Sequence, residues 1–151
     1  RWPAPYEDAR DAVRWVRANA RTLGVDPERV VAVGVSAGAQ LALSLSVRGE
    51  CPAGSVFGPV DLGPGEMPKN GDDLAALLGG DPALIADASP LRRVGPDSAP
   101  AFLIQGGKDE TVPPAHATRF ATAMRKAGRP VELAVIADAP HLVDSYSFDV
   151  W

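Results

Sequence analysis

The sequence is poorest in the residues that build covalent and metal frameworks. Cys51 is the only cysteine, so the chain forms no internal disulfide and no cysteine-based metal cluster. Cys51 itself reads as a small buried or loop residue. Two histidines, His116 and His141, are too few for a histidine-rich metal site. No apolar run approaches the roughly 20 residues needed to span a bilayer. Positive charge is not in excess: 151 residues carry 15 Lys and Arg against 19 Asp and Glu, a net charge of −4. Without a basic stripe to draw a phosphate backbone, nucleic acid is set aside as a partner. What remains, with 46% hydrophobic and 23% charged residues, is ordinary for a globular domain with one core. The chain opens on Arg1 with no visible signal peptide and ends abruptly at Trp151. It is expected to be soluble, cytoplasmic or secreted, and part of something longer.

Against this plain background one stretch has chemical punctuation, Gly34-Val35-Ser36-Ala37-Gly38. An apolar β-like run, Val30-Val31-Ala32-Val33, precedes it, and a helix-like run, Gln40-Leu41-Ala42-Leu43-Ser44-Leu45, follows. A G-x-S-x-G pattern alone is also an ordinary turn. Between a strand and a helix it becomes a sharp, strained turn that holds a serine hydroxyl clear of the sheet. The flanking glycines let the strand and helix backbones approach. The Ala37 N–H then lies at the helix N-terminus, placed to donate to a negative oxygen.

The elements around it alternate. Apolar residues Ala9, Ala12, Val13, Val16, Ala20 and Leu23 recur at helical spacing from about Pro5 to Leu23, and Gly24 suits the helix end. Arg29 to Val33 reads as a short strand buried on both faces of a parallel sheet. After the Ser36 turn a helix runs to about Val47, and Gly54 to Phe57 reads as a second strand. Gly58 to Leu62 leaves it as a loop. Residues 63–100 are rich in glycine and hold Pro64, Pro68, Pro82, Pro90, Pro96 and Pro100, with one short helix candidate at Asp72 to Leu78. So long an irregular insertion suggests a lid or substrate-facing segment; the alternative is a surface excursion packed by Leu77, Leu78, Leu84 and Ile85. Ala101 to Gln105 is a third strand, about Pro114 to Ala127 a helix, and Val131 to Ile136 a fourth strand. This order predicts an α/β fold: a doubly wound, mostly parallel sheet of about four strands with helices on both faces.

Three chemical groups leave this sheet at strand ends: Ser36 after the first strand, Asp109 after the third and His141 after the fourth. Ligand crevices of open α/β sheets lie beyond those carboxyl ends, so one site is within reach of all three. A serine hydroxyl needs a base at neutral pH, an imidazole with a pKa of about 6.5 suits that task, and a carboxylate holds the imidazole tautomer. The chain order Ser…Asp…His is that of α/β-hydrolases. Other candidates are weaker. His116, on the first turn of a helix, is expected to be an exposed surface residue. Glu110 is an alternative to Asp109, but the form Gly-x-x-Asp-x-x-Val-Pro favours Asp109. Asp138 and Asp144 are expected to be solvated. Asp61 either lines the site or caps a turn, and the turn is favoured.

The ordered set carries a resemblance. Trp2-Pro3-Ala4-Pro5 with Asp8 and Trp15-Val16, then Gly34 to Ala42, Gly58-Pro59-Val60-Asp61, Ala88-Ser89-Pro90-Leu91, Gly106 to Pro113 and Ala139-Pro140-His141 span nearly the whole chain. Together they resemble the C-terminal part of an α/β-hydrolase esterase, close to the hormone-sensitive-lipase-like and acetyl or feruloyl esterase branch. The resemblance implies Ser36 as nucleophile, Asp109 as orienting acid and His141 as base, acting on short-chain acyl esters without cofactor or metal. A small-molecule ester is the implied partner. A peptidase or formamidase with the same triad, or an inactive binding module, are the alternatives. The family also carries an N-terminal half and a His-Gly-Gly-Gly-type oxyanion loop that this chain does not contain. The second donor beside Ala37 is therefore expected from outside this sequence; loss of one such donor typically costs on the order of 10²–10³ in rate.

Overall fold

The computed structural model describes residues 1–67 and 78–141. Its sheet is parallel throughout, in the order β1-β2-β3-β4. The strands are β1 (Ala32–Val35), β2 (Ala53–Val56), β3 (Ala101–Gly106) and β4 (Val131–Ile136). Ala32, Ala53, Ala101 and Val131 pair across at one level, so the strands start in line. Pro52, Pro100 and Pro130 stand just below that level. Their carbonyls accept from the N–H of Ala32, Ala53 and Ala101 on the neighbouring strand, and proline offers no N–H with which to extend the ladder downward. From this line β1 and β2 run for 4 residues and β3 and β4 for 6.

Helices α1 (Ala4–Ala18), α2 (Ala20–Leu23), α3 (Ala37–Val47), α4 (Pro82–Ala88) and α5 (Ala115–Lys126) accompany the sheet. The helix expected over Pro5 to Leu23 is divided at Asn19, whose backbone leaves helical angles and whose side-chain amide donates to the Trp15 carbonyl at 2.8 Å. Gly24, at φ 68°, then closes α2 in the left-handed conformation. Helix α3 is apolar on all sides and correspondingly central. Ala42, Leu43 and Val47 meet Ala53, Ala101 and Leu103 of the sheet and Phe120 and Met124 of α5. Leu45 joins a second cluster with Trp2, Tyr6 and Val13, closed by Cys51, Leu62, Leu78 and Ala88. Leu43 and Phe120 are fully buried; each such side chain stabilises by roughly 2 kcal/mol relative to an exposed one.

Several expectations shift. The first strand begins later than Arg29, because Pro27–Arg29 forms a 3-10 turn capped by Asp26, which accepts from the Glu28 N–H at 2.9 Å. Helix α4 was not expected; Asp81 caps it by accepting from the Ala83 N–H at 2.8 Å, with Pro82 in the first turn. In the helix candidate Asp72 to Leu78, residues 72–77 lie outside the described residues. Burial of β1 on both faces, and helices on both faces, are not seen among the described residues. Ala101, Leu103 and Gln105 of β3 point into the helical layer, while Phe102 is exposed, as are Val31, Val33, Val35 and Ile136. Helices α3 and α5 fold back on the same side, and α1 packs on α3 rather than across the sheet. Apolar side chains on both faces of a strand do not by themselves say what covers the second face.

Candidate active site

Ser36 follows β1 directly and has φ 52° and ψ −118°. For a residue with a side chain this backbone costs on the order of 1–3 kcal/mol and persists only where its surroundings dictate it. They do so here: its N–H donates to the Val56 carbonyl at 2.9 Å, and its carbonyl accepts from Ala39 and Gln40. Gly34 is required for the same turn, since a Cβ there would lie 2.2 Å from the Gly38 backbone. Ala37 opens α3, where backbone N–H groups have no acceptor within the helix.

The β3 exit supplies a buried carboxylate. Asp109 is 4% exposed. Its Oδ1 accepts from the N–H groups of Thr111 and Val112 at 2.9 and 2.8 Å. Its Oδ2 accepts from Gln105 Nε2 at 3.1 Å and faces His141 Nδ1 at 2.7 Å. Glu110, next to it, is exposed.

The β4 exit lies against that loop. Gly107 N–H donates to the Ile136 carbonyl at 2.8 Å and Lys108 N–H to the Ala139 carbonyl at 3.0 Å. A Cβ on Gly106 would stand 2.4 Å from the Ala139 oxygen, and one on Gly107 2.4 Å from the Ala137 oxygen. The paired glycines are what allow this approach, and it delivers His141 to the space above β1. His141 Nε2 lies 3.2 Å from Ser36 Oγ. With Nδ1–H given to the carboxylate, the lone pair of Nε2 faces the hydroxyl. Phe57, just after β2, packs its ring against the imidazole with centroids 5.7 Å apart. It is buried and has φ 56°, a second strained residue at this rim. Sequence reasoning did not single out Phe57; its one signal is a bulky residue at a strand end before Gly58-Pro59.

The structure therefore brings Ser36, Asp109 and His141 together, with Ala37 at the adjoining helix start. The other candidates go elsewhere. Asp61 is 6% exposed. It accepts from the Gly63 N–H at 3.1 Å, as a turn cap does, but also from Arg92 Nη2 at 2.8 Å and Arg119 Nη2 at 3.1 Å. Burial pushes its carboxyl up, but the Arg92 hydrogen bond, the Gly63 N–H and the charges of both arginines outweigh this and hold it below the usual range. His116 is a correction: it is 1% exposed, not a surface residue. The loop after β2 folds over the start of α5, so His116 Nδ1 accepts from the Val60 N–H at 3.1 Å and Nε2 donates to the Glu66 carbonyl at 3.0 Å. Asp138 is exposed beside Lys108, and Asp144 lies outside the described residues. Among the described residues no cluster of His, Cys, Asp and Glu could hold a metal ion, and no helix is long and apolar enough to cross a membrane.

Residues 1–57 match the family described as alpha/beta hydrolase fold, and residues 81–150 match the prolyl oligopeptidase family. The chain is 31% identical to the esterase LipQ of Mycobacterium tuberculosis, over 95% of this chain and 39% of that protein. It is 26% identical to the esterase LipC of the same organism, over 85% of this chain and 38% of that protein. It thus spans about two fifths of the length of these curated relatives. Among solved structures, it superposes on the acetyl ester-xyloside bifunctional hydrolase from Caldicellulosiruptor lactoaceticus with a TM-score of 0.84 at 28% identity, covering 99% of this chain and 62% of that one. The butyrate-bound esterase Est2 of Thermogutta terrifontis gives a TM-score of 0.77 at 28% identity, covering 95% and 58%.

Proposed function

Since the chain belongs to the α/β-hydrolase fold family, we propose that it carries the reacting groups of a serine carboxylic-ester hydrolase, Ser36, His141 and Asp109. One observation carries this reading: Ser36 Oγ, the His141 imidazole and the Asp109 carboxylate form a continuous line of contacts at 3.2 and 2.7 Å. In the proposed reaction His141 Nε2 takes the Ser36 proton as Oγ attacks the ester carbonyl. Negative charge then develops on the carbonyl oxygen. The Ala37 N–H, at the positive end of α3, and a second donor from elsewhere in the protein meet it. The imidazolium gives its proton to the departing alcohol, leaving Ser36 acylated. Water, deprotonated by the same nitrogen, releases the acid and restores the serine. Asp109 holds the Nδ1–H tautomer and stabilises the imidazolium without taking its proton.

The acyl group is proposed to be short, of acetyl or feruloyl type. One similar structure is named as an acetyl ester-xyloside hydrolase and another is bound to butyrate. Residues 1–151 are proposed to form the C-terminal part of one catalytic domain. Segment 63–100, which leaves the sheet between β2 and β3, is the proposed lid or substrate-facing insertion. A second reading, a peptidase with the same triad, is favoured by the match of residues 81–150 to the prolyl oligopeptidase family.

The test is intact mass after a fluorophosphonate probe, with turnover of p-nitrophenyl acetate and of aminoacyl anilides. The parent should take a single adduct and turn over the ester faster than the anilides; Ser36→Ala should take none and lose turnover while still folding. Faster anilide cleavage would favour the peptidase. Undiminished ester turnover by Ser36→Ala would sink both readings.

A further inference from the structure

Strand β3 is apolar from Ala101 to Ile104 and then ends in a buried amide. Gln105 is 1% exposed. Its side-chain nitrogen lies 3.1 Å from Asp109 Oδ2, 3.1 Å from the Val112 carbonyl and 3.4 Å from the Gly106 carbonyl. A carboxylate and two carbonyls can only accept, so the amide has one possible orientation, nitrogen toward Asp109. The opposite end shows what that orientation costs. Gln105 Oε1 is buried with no hydrogen-bond partner among the described residues. An orphaned buried acceptor is destabilising, and an apolar side chain of similar size would avoid that one. What distinguishes the amide from such a side chain is what its nitrogen holds.

We propose that Gln105 is a positioning residue for Asp109, an inference that rests on the triad reading above. The carboxylate has one oxygen tied down by its own loop, through the Thr111 and Val112 N–H groups. Those two bonds share Oδ1 and leave Oδ2 free to swing. The Gln105 N–H supplies the second anchor, and it comes from the sheet rather than from the loop. It holds Oδ2 on the line to His141 Nδ1. The bond to the Val112 carbonyl staples the far end of the same loop to β3. The donor is also neutral, so it fixes the position of the carboxylate without cancelling the charge that the imidazolium is to meet. Electrostatic help of this kind is effective only when it is in place before the proton moves.

The experiment replaces Gln105 by Leu and, separately, by Met, in the intact protein. Both variants remove the orphaned oxygen but also the donor to the Val112 carbonyl, so kcat is read per folded molecule with the melting temperature recorded beside it. The kcat on p-nitrophenyl acetate should fall about ten- to a hundredfold at unchanged KM, the scale expected of a misplaced catalytic contact. The far-downfield proton resonance of the His141–Asp109 hydrogen bond should broaden or shift. A kcat within twofold of the parent, or a loss that only tracks the folded fraction, would overturn the proposal. The resonance is also read in a Ser36→Ala background, where turnover plays no part. If the nucleophile assignment fails, Gln105→Leu must still move that signal, and an unmoved signal ends the positioning role on its own.

Discussion

The exits of β2 and β3 each hold a buried aspartate, and the two are satisfied by different chemistry. Asp61 meets the guanidinium groups of Arg92 and Arg119. Among the described residues Asp109 meets two backbone N–H groups, an amide and an imidazole, with no arginine among its bonds. Burial is nearly the same, at 6% and 4%. A carboxylate clamped by fixed cations is spent on holding its loop, since its charge is already answered. A carboxylate held by neutral donors is equally well placed but keeps its charge for a neighbour whose own charge changes. The difference separates frame from chemistry where depth and residue type do not.

The sharpest way to break this contrast is to neutralise each aspartate in turn. Asp109→Asn should lower kcat by about 10⁴-fold with the fold intact, because the imidazole is then offered the wrong hydrogen-bond partner. Asp61→Asn should leave kcat on the same aryl ester within a few-fold of the parent. Glycines give a finer comparison, since they move the loops and leave both acids in the sequence. Gly106→Ala drives a Cβ into the Ala139 carbonyl at 2.4 Å. The loop that carries His141 must shift, and kcat should drop about 10²-fold. Gly63→Ala places a Cβ 2.6 Å from Arg92 Nη2 and 3.3 Å from Asp61 Oδ1, so the Asp61 pair must give rather than the His141 loop; activity should hardly change.

The smallest effect is on stability. Removing one partner of a buried ion pair costs several kcal/mol, but Arg92 and Arg119 are each 41% exposed. Asp61→Asn should therefore cost about 2 kcal/mol in urea unfolding at neutral pH. The sign with pH follows from its depressed carboxyl. Its stabilisation is present above the unfolded value of about 3.9 and is lost as pH falls from there through the folded value. The gap between parent and variant should close on acidification; a gap that widened would contradict the ion-pair account.

Much of the site was legible because its signals are local. Gly34, Ser36 and Gly38 specify a turn within five residues, and Gly106-Gly107 announce a close approach even before the approaching chain is known. Strand ends then place Asp109 and His141 on the same rim as Ser36. What escaped the sequence depends on partners far along the chain. His116 looks like a surface residue of an amphipathic helix until the Val60 N–H, 56 residues away, is laid over it. Asp61 has the spacing of a turn cap, and Arg92 and Arg119 lie 31 and 58 residues further on. The polar end of β3 was visible as a residue type, but the identity of the acceptors around Gln105 was not. The open sheet face was missed for a different reason: the apolar run before Ser36 suggested burial on both sides, while Val33 and Phe102 stand exposed.

The prolines below the sheet act as the zero of a ruler. Pro100 and Pro130 mark where β3 and β4 begin, and each residue above them adds about 3.3 Å. The height of Asp109 and His141 over Ser36 is therefore set by counting. One residue inserted between Pro100 and Gln105 would turn Gln105 to the open face and lift the whole Asp109 loop by a step. The same residue inserted before Pro100 would be taken up beneath the line and leave the rim untouched. The proposed reacting groups can thus tolerate many changes in what the strands are made of, but almost none in how long they are.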